Sequence, residues 1–108
     1  MFEAGFAGPG TKFAYEDMYG GSDFLPFLNA GVPAGGVLTG AGEIKTGEER
    51  TEFGGLANAP LDPCYHLDCD TVENVSREAL AMMSTAAAHG VGTLLNVDDL
   101  DAFLNGQG

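Results

Sequence analysis

The spacing of apolar and polar residues along the chain predicts one long helix near its C-terminal end. From residue 76 to residue 95 the apolar positions recur at steps of three and four, which is typical of a helix with one packed face. Asn74 or Ser76 can cap the first turn. We therefore predict a helix over Ser76–Leu95 whose apolar face consists of Leu80, Met83, Ala87, Val91 and Leu94.

Three shorter helical segments are predicted upstream. Residues 2–6 read as the end of an amphipathic helix, and residues 48–53 as one or two helical turns. A further helix is expected to end at Asn29, with Ser22 or Asp23 as its cap and Pro26 in its first turn, where the missing N–H costs little.

Two segments predict strands, and one long segment predicts neither helix nor strand. Residues 32–39 form an apolar run bounded by Gly and Pro, which favours a buried strand, and residues 12–15 favour a short one. Residues 54–71 lack a regular pattern. Long irregular segments in compact domains are usually functional or disordered, and the chemistry at the end of this one favours function.

Composition limits the classes of function. The chain has 108 residues, enough for one domain, and its net charge of −12 with four basic residues argues against binding to nucleic acid or to an anionic membrane. The basic residues are scattered. No apolar run is long enough to span a bilayer, and residues 1–6 lack the features of a signal peptide.

The densest chemistry lies in residues 62–71, which hold both cysteines of the chain and one of its two histidines. Cys64 and Cys69 could bind zinc as thiolates with His66, but zinc sites usually draw on two separated ligand pairs. We favour a disulfide that fixes the pose of Tyr65 and His66. His66 is then either a surface histidine or a metal ligand, with Asp70 placed to orient its ring.

Other candidate residues have simpler interpretations. Three acids in residues 98–101 are interpreted as the start of a helix, and the functional alternative is a calcium site. His89 is interpreted as structural, because it falls near the packed face of the long helix. Asn74-Val75-Ser76 matches a glycosylation sequon, and we assign it no function.

Taken in order, several segments resemble the C-terminal part of the M28 zinc aminopeptidases, particularly the secreted actinomycete type. The resemblance covers most of the chain, from about Phe2 to Leu95. The segments that carry it are residues 22–46 (SDFLPFLNAGVPAGGVLTGAGEIKT), residues 62–71 (DPCYHLDCDT), Asn74, and residues 86–89 (AAAH).

The resemblance implies a chemistry that this chain contains only in part. In that family two zinc ions share a bridging water, and most of their ligands lie upstream of the matched portion. The one zinc ligand carried over is His66, and Tyr65 matches a tyrosine that donates a hydrogen bond to the developing oxyanion. Cys64 and Cys69 match a disulfide of the secreted members. Asp70 matches the acid of an H-x3-D-T pattern, and its support of the His66 loop is our interpretation.

The resemblance also implies a substrate cleft. Asp23 belongs to the S-D-x-x-P-F segment that lines this cleft, and Gly21 stands where relatives commonly have arginine, so only a backbone contact to the substrate amine is carried over. Leu38 stands where an aromatic residue often lines the pocket for the first substrate side chain. The pocket is therefore expected to be apolar.

Together these inferences predict an α/β fold: the C-terminal part of a mixed β-sheet flanked by helices, with residues 1–108 forming part of one catalytic domain whose N-terminal part is absent. The predicted function is a piece of a two-zinc aminopeptidase that removes large apolar residues from peptides, inactive alone. The parent enzyme is expected to be secreted. The alternatives are a non-catalytic binding module or one half of a split enzyme, and self-association through exposed apolar surface is expected.

Overall fold

The structure is a computed structural model that describes residues 1–18 and 20–106, and its regular secondary structure is helical. A 3-10 turn, Val72–Asn74, precedes the longest helix. The five helices in the described residues are α1 (Phe2–Ala7), α2 (Leu25–Asn29), α3 (Gly47–Phe53), α4 (Arg77–Leu95) and α5 (Leu100–Asn105).

The predicted mixed β-sheet is wrong. Within residues 1–18 and 20–106, the one β-type pairing is an isolated antiparallel bridge between Ile44 and Pro60. Residues 12–15 and 32–39 form no strand, and Val32 and Leu38 are 47% and 61% exposed, which does not fit a buried strand. An extended apolar run becomes a strand only when another backbone pairs with it. The described residues supply no such partner to 32–39.

The helix predictions fared better. α1, α3 and α4 begin and end within two residues of their predicted bounds, and α2 ends at Asn29 as expected. Pro26 lies in the first turn of α2, but the helix is preceded by Phe24 with no side-chain cap, so the predicted capping by Ser22 or Asp23 is wrong. The Ser76 hydroxyl does cap α4, since its Oγ accepts a hydrogen bond from the Ala79 N–H at 3.2 Å.

The chain divides into two compact units. The first consists of Met1–Val37 with Ser84–Gly108, and the second of Leu38–Met83.

In the first unit, α1 lies close against α4. A Cβ on Gly5 would stand 2.5 Å from the Cα of Ala86, and a Cβ on Gly90 would overlap the ring of Phe2. Gly5, Ala86 and Gly90 are buried, so the packed face of α4 is centred on its small residues. The predicted face is wrong in part, because Leu80 and Val91 are 56% and 54% exposed. Gly90 thus serves close packing between two helices.

A group of aromatic rings joins α1 to the segment that follows it in the first unit. The Phe6 and Phe13 rings stack at 5.5 Å between centroids, and Tyr15 meets Phe13 edge-on at 5.8 Å. The Tyr15 hydroxyl donates a hydrogen bond to Glu3 at 2.9 Å. The carboxylate raises the pKa of Tyr15, while the N-terminal ammonium and then the Tyr15 hydroxyl lower the pKa of Glu3.

In the second unit, two backbone segments pair on either side of α3. Lys45 and Leu61 N–H groups donate to Ala59 and Glu43 carbonyls at 2.9 Å each, and the Asp62 N–H donates to the Ala41 carbonyl at 2.7 Å. These bonds hold residues 41–45 beside residues 58–62. The paired segment leads directly into residues 62–71.

The N-terminus of α3 is closed by a reciprocal pair of hydrogen bonds. The Thr46 Oγ1 accepts from the Glu49 N–H at 3.1 Å, and the Glu49 carboxylate accepts from the Thr46 N–H at 2.7 Å. This backbone donor lowers the pKa of Glu49.

Little of the described chain is buried. Ala86 is the one buried hydrophobic residue within residues 1–18 and 20–106, while large side chains such as Phe27, Leu56 and Val72 are 58%, 75% and 78% exposed. Scattered exposed apolar residues are ordinary, but a core of this size is not. No helix in the described part of the chain combines the length and the apolar character needed to cross a membrane.

Candidate functional site

A disulfide closes the loop that carries the predicted functional residues. Residues 62–71, here called the disulfide loop, contain the bond between Cys64 and Cys69, whose Cα atoms lie 5.3 Å apart. The structure thus has the pairing that we favoured over zinc thiolates. Successive turns fill the loop, with the Leu67 N–H donating to the Cys64 carbonyl at 2.9 Å and the Asp70 N–H to the Leu67 carbonyl at 3.0 Å.

Tyr65 and His66 form a stacked pair on this loop. Their ring centroids are 3.9 Å apart, with 18° between the ring planes. His66 has a φ of 57°, a left-handed conformation that non-glycine residues adopt at a cost. The loop therefore holds its histidine in a conformation that the free chain would rarely populate. Tyr65 is 44% exposed, and His66 is also exposed, so both rings are accessible within their unit.

Gly42, which lies outside the loop, is near the Tyr65 ring. A Cβ on Gly42 would lie 3.7 Å from Cδ1 of Tyr65, at ordinary contact distance. Beside it, the Ala41 N–H donates to the Glu43 carboxylate at 2.6 Å, which lowers the pKa of Glu43. The turn is therefore near enough to the Tyr65 ring that a methyl group on Gly42 would contact it.

The two ends of the disulfide loop are joined by the side-chain amide of Asn74. From the sequence, this residue is interpreted as a helix cap or an unused sequon. In the structure its Nδ2 donates to Asp62 Oδ1 at 3.0 Å and to Asp70 Oδ1 at 3.2 Å. Asp62 Oδ1 also accepts from the Cys64 N–H at 2.9 Å. Asp70, predicted to orient His66, is thus bound to Asn74, and its action on His66 stays a prediction.

A groove in the second unit runs beside the loop. It has a volume of about 520 Å³, with apolar side chains contributed by the first turns of α4. Leu38, the predicted pocket residue, is 61% exposed and directly precedes the groove in sequence. The lining residues are Thr39, Gly40, Leu61, Asp62, Pro63, Asp70, Asn74, Val75, Ser76, Ala79, Leu80 and Met83.

Two of the predicted residues belong to the first unit. Gly21 has a φ of 99°, which a residue with a side chain would rarely adopt, so this position suits a backbone contact. Asp23 is exposed, and its Oδ1 accepts from the Ser22 hydroxyl at 3.4 Å. Their roles in a substrate cleft stay predictions.

A zinc ion needs more donors than the described residues bring together. Zinc sites require three or four nitrogen, sulfur or oxygen donors. In residues 1–18 and 20–106, no three His, Cys, Asp or Glu side chains come together as a metal-binding group. Both sulfurs of the loop are in the disulfide, which leaves the exposed His66 imidazole as the single nitrogen donor among the side chains of the loop. The described residues therefore do not fit a zinc site by themselves.

The acidic segment near the C-terminal end is likewise explained without a metal. Asp99 precedes α5, and its Oδ1 accepts from the Ala102 N–H at 2.9 Å. This is the helix-start interpretation of residues 98–101. It leaves the calcium alternative without support among the described residues.

Comparison with known proteins identifies the family. The profile of peptidase family M28 matches residues 5–91, which include the whole disulfide loop. The chain belongs to peptidase family M28. The predicted relationship to M28 aminopeptidases is thereby confirmed.

Three similar proteins share 38–40% of the aligned residues with this chain. The chain is 38% identical over 94 residues to leupeptin-inactivating enzyme 1 of Streptomyces exfoliatus, covering 86% of this chain and 22% of that protein. It is 40% identical over 96 residues to probable leucine aminopeptidase 2 of Aspergillus fumigatus, covering 89% and 19%. An aminopeptidase of Pseudomonas aeruginosa is 38% identical over 88 residues, covering 82% and 16%. The chain thus spans about a fifth of the length of these relatives.

Proposed function

We propose that this chain is the portion of an M28 aminopeptidase that carries the Tyr65–His66 pair. Three observations support the proposal: membership of family M28, relatives named aminopeptidases, and a disulfide loop that orders these two rings. The stacked Tyr65–His66 pair is the main support for the proposed function. The left-handed conformation of His66 adds support, because sparsely populated backbone conformations cluster at functional sites.

The two rings have different roles in this proposal. His66 supplies one imidazole to a metal centre whose other donors lie outside the described residues. Tyr65 supplies a hydroxyl donor for the oxyanion that forms when a peptide carbonyl is attacked. The stacking fixes the direction of both rings relative to one another, and preorganised donors of this kind stabilise a transition state without reorganising during the reaction.

The chain alone is proposed to be inactive. A single imidazole does not hold a catalytic metal, and the described residues bury one hydrophobic side chain. The exposed apolar residues are the surface that the rest of the enzyme would cover. Without that cover, we expect the purified chain to self-associate.

The proposed substrate is a peptide with a large apolar N-terminal residue. Two observations support this choice: the name leucine aminopeptidase among the relatives, and the apolar exposed side chain of Leu38. A disulfide in a short loop persists in oxidising compartments, which supports secretion of the parent enzyme.

A chimera tests the proposal directly. Residues 5–91 would replace the matched segment of the Streptomyces exfoliatus enzyme, and hydrolysis of leucine p-nitroanilide and bound zinc would be measured. His66→Ala should abolish hydrolysis and reduce zinc content. Tyr65→Phe should lower kcat by roughly 10²- to 10³-fold with zinc content unchanged. His89→Ala, the matched control on α4, should leave both quantities unchanged.

The outcomes separate the alternatives. A folded chimera in which His66→Ala keeps its zinc and its activity would refute the proposal. Activity regained by mixing this chain with a separate upstream chain would identify a split enzyme. A folded, zinc-loaded chimera with no hydrolysis would favour the non-catalytic module.

A further inference from the structure

The amide of Asn74 spans the mouth of the disulfide loop. One acceptor, Asp62, lies two residues before Cys64, and the other, Asp70, directly follows Cys69. The same Nδ2 atom donates to both carboxylates, at 3.0 and 3.2 Å. The loop is therefore closed twice, once by the disulfide and once by these hydrogen bonds.

The arrangement depends on the amide in particular. Two carboxylate oxygens bound to one nitrogen lie no further apart than the sum of the two hydrogen-bond lengths, so two negative charges are brought close together. The amide donor offsets their repulsion. Asp62 and Asn74 are half-buried, which reduces screening by solvent at Asp62, whereas Asp70 is exposed. Asp62 connects Asn74 to the backbone at Cys64, because the same Oδ1 accepts a hydrogen bond from the Cys64 N–H at 2.9 Å.

We propose that Asn74 is a positioning residue, which keeps the disulfide loop closed and the Tyr65–His66 pair stacked even when the disulfide is open. The proposal does not rest on the peptidase function, since it concerns the order of the loop and not the reaction.

The thiol–disulfide equilibrium of the whole chain with glutathione measures loop closure. If the hydrogen bonds hold the thiols together, Asn74→Ala should lower the equilibrium constant for disulfide formation by about tenfold, or about 30 mV. Asn105→Ala, at the exposed end of α5, is the matched control and should leave the constant unchanged. In concentrated guanidinium chloride all three chains should give one value.

Two further measurements show whether Asn74 acts through the carboxylates. Asp70→Asn in the Asn74→Ala background removes one of the two like charges and should restore part of the loss. In the reduced chain, NMR should show the ring-current shift of the Tyr65–His66 stack with Asn74 present and not in Asn74→Ala.

Several results would overturn the proposal. These are equal equilibrium constants for Asn74→Ala and the unsubstituted chain, a native value equal to the denatured one, or loss of the ring-current shift on reduction with Asn74 present.

Discussion

Gly40 is the position where a single methyl group should disturb the candidate site most strongly. Its φ is 95°, and an added Cβ would overlap Cδ1 of Leu61 and lie 3.0 Å from the Leu61 Cβ. Leu61 and Asp62 then lead into the disulfide loop through hydrogen bonds to the Glu43 and Ala41 carbonyls. Gly40→Ala should therefore push apart the two paired segments just before the loop.

The expected cost has two parts. A side chain in a left-handed conformation costs roughly 1–2 kcal/mol. Overlap with a neighbour costs typically about 1–3 kcal/mol. The lower half of that range applies, because Cγ and Cδ1 of Leu61 can rotate away from the added methyl group and only the contact with Cβ remains. The sum is about 2–4 kcal/mol, which corresponds to a roughly 30- to 1,000-fold change in the equilibrium for local opening.

Amide hydrogen exchange at Leu61 and Asp62 reports this opening directly. We expect Gly40→Ala to reduce their protection by that factor, or to abolish it where the starting protection is smaller. Leu61→Ala in the Gly40→Ala background removes Cγ and Cδ1 but keeps Cβ, so it should recover most of the overlap part and leave the backbone part. Gly47→Ala is the matched control, since Gly47 lies in α3 with open space around it and the change adds helix propensity. Unchanged protection in Gly40→Ala would refute this account of the paired segments.

Two further predictions concern the helices. Gly5→Ala should weaken the packing of α1 on α4 by about 1–2 kcal/mol, because the backbone of Ala86 cannot move aside. Gly92→Ala has open space and should stabilise α4 by up to about 1 kcal/mol. Urea unfolding followed by circular dichroism distinguishes the two variants, and equal effects on the free energy of unfolding would contradict the packing of α1 on α4. The carboxylate of Glu49 has a lowered pKa, so it stabilises α3 fully above pH 4.5, the ordinary pKa of glutamate, and this contribution is lost as pH falls through the lowered pKa. NMR of the Thr46 amide should show α3 fraying below the lowered pKa. Glu49→Gln should remove this pH dependence.

The sequence predicted local structure well and long-range structure poorly. α4 follows from apolar spacing and the Ser76 cap, both of which lie within one stretch of chain. A strand over 32–39 was predicted from an apolar run, but pairing depends on a partner backbone that the run itself does not specify. The packed face of α4 was misplaced for a related reason. Burial of Ala86 and Gly90 depends on α1, more than seventy residues away in the chain.

The candidate site divides in the same way. The disulfide and the adjacent rings are close in sequence, so their residue types and spacing were enough to indicate a constrained loop. The bridge from Asn74 to Asp62 spans twelve residues, and nothing in the local pattern distinguished it from a helix cap. Only the hydrogen-bond geometry shows that Asn74 closes the loop.

His66 is proposed to be one ligand of a metal centre that the described residues do not complete. Native mass spectrometry of the purified chain with added zinc is the measurement to make first. We expect a zinc-free chain, alone or self-associated, whose mass per chain is two hydrogens below that of the reduced form, as the Cys64–Cys69 disulfide requires. A monomer that retains zinc and hydrolyses leucine p-nitroanilide would contradict it.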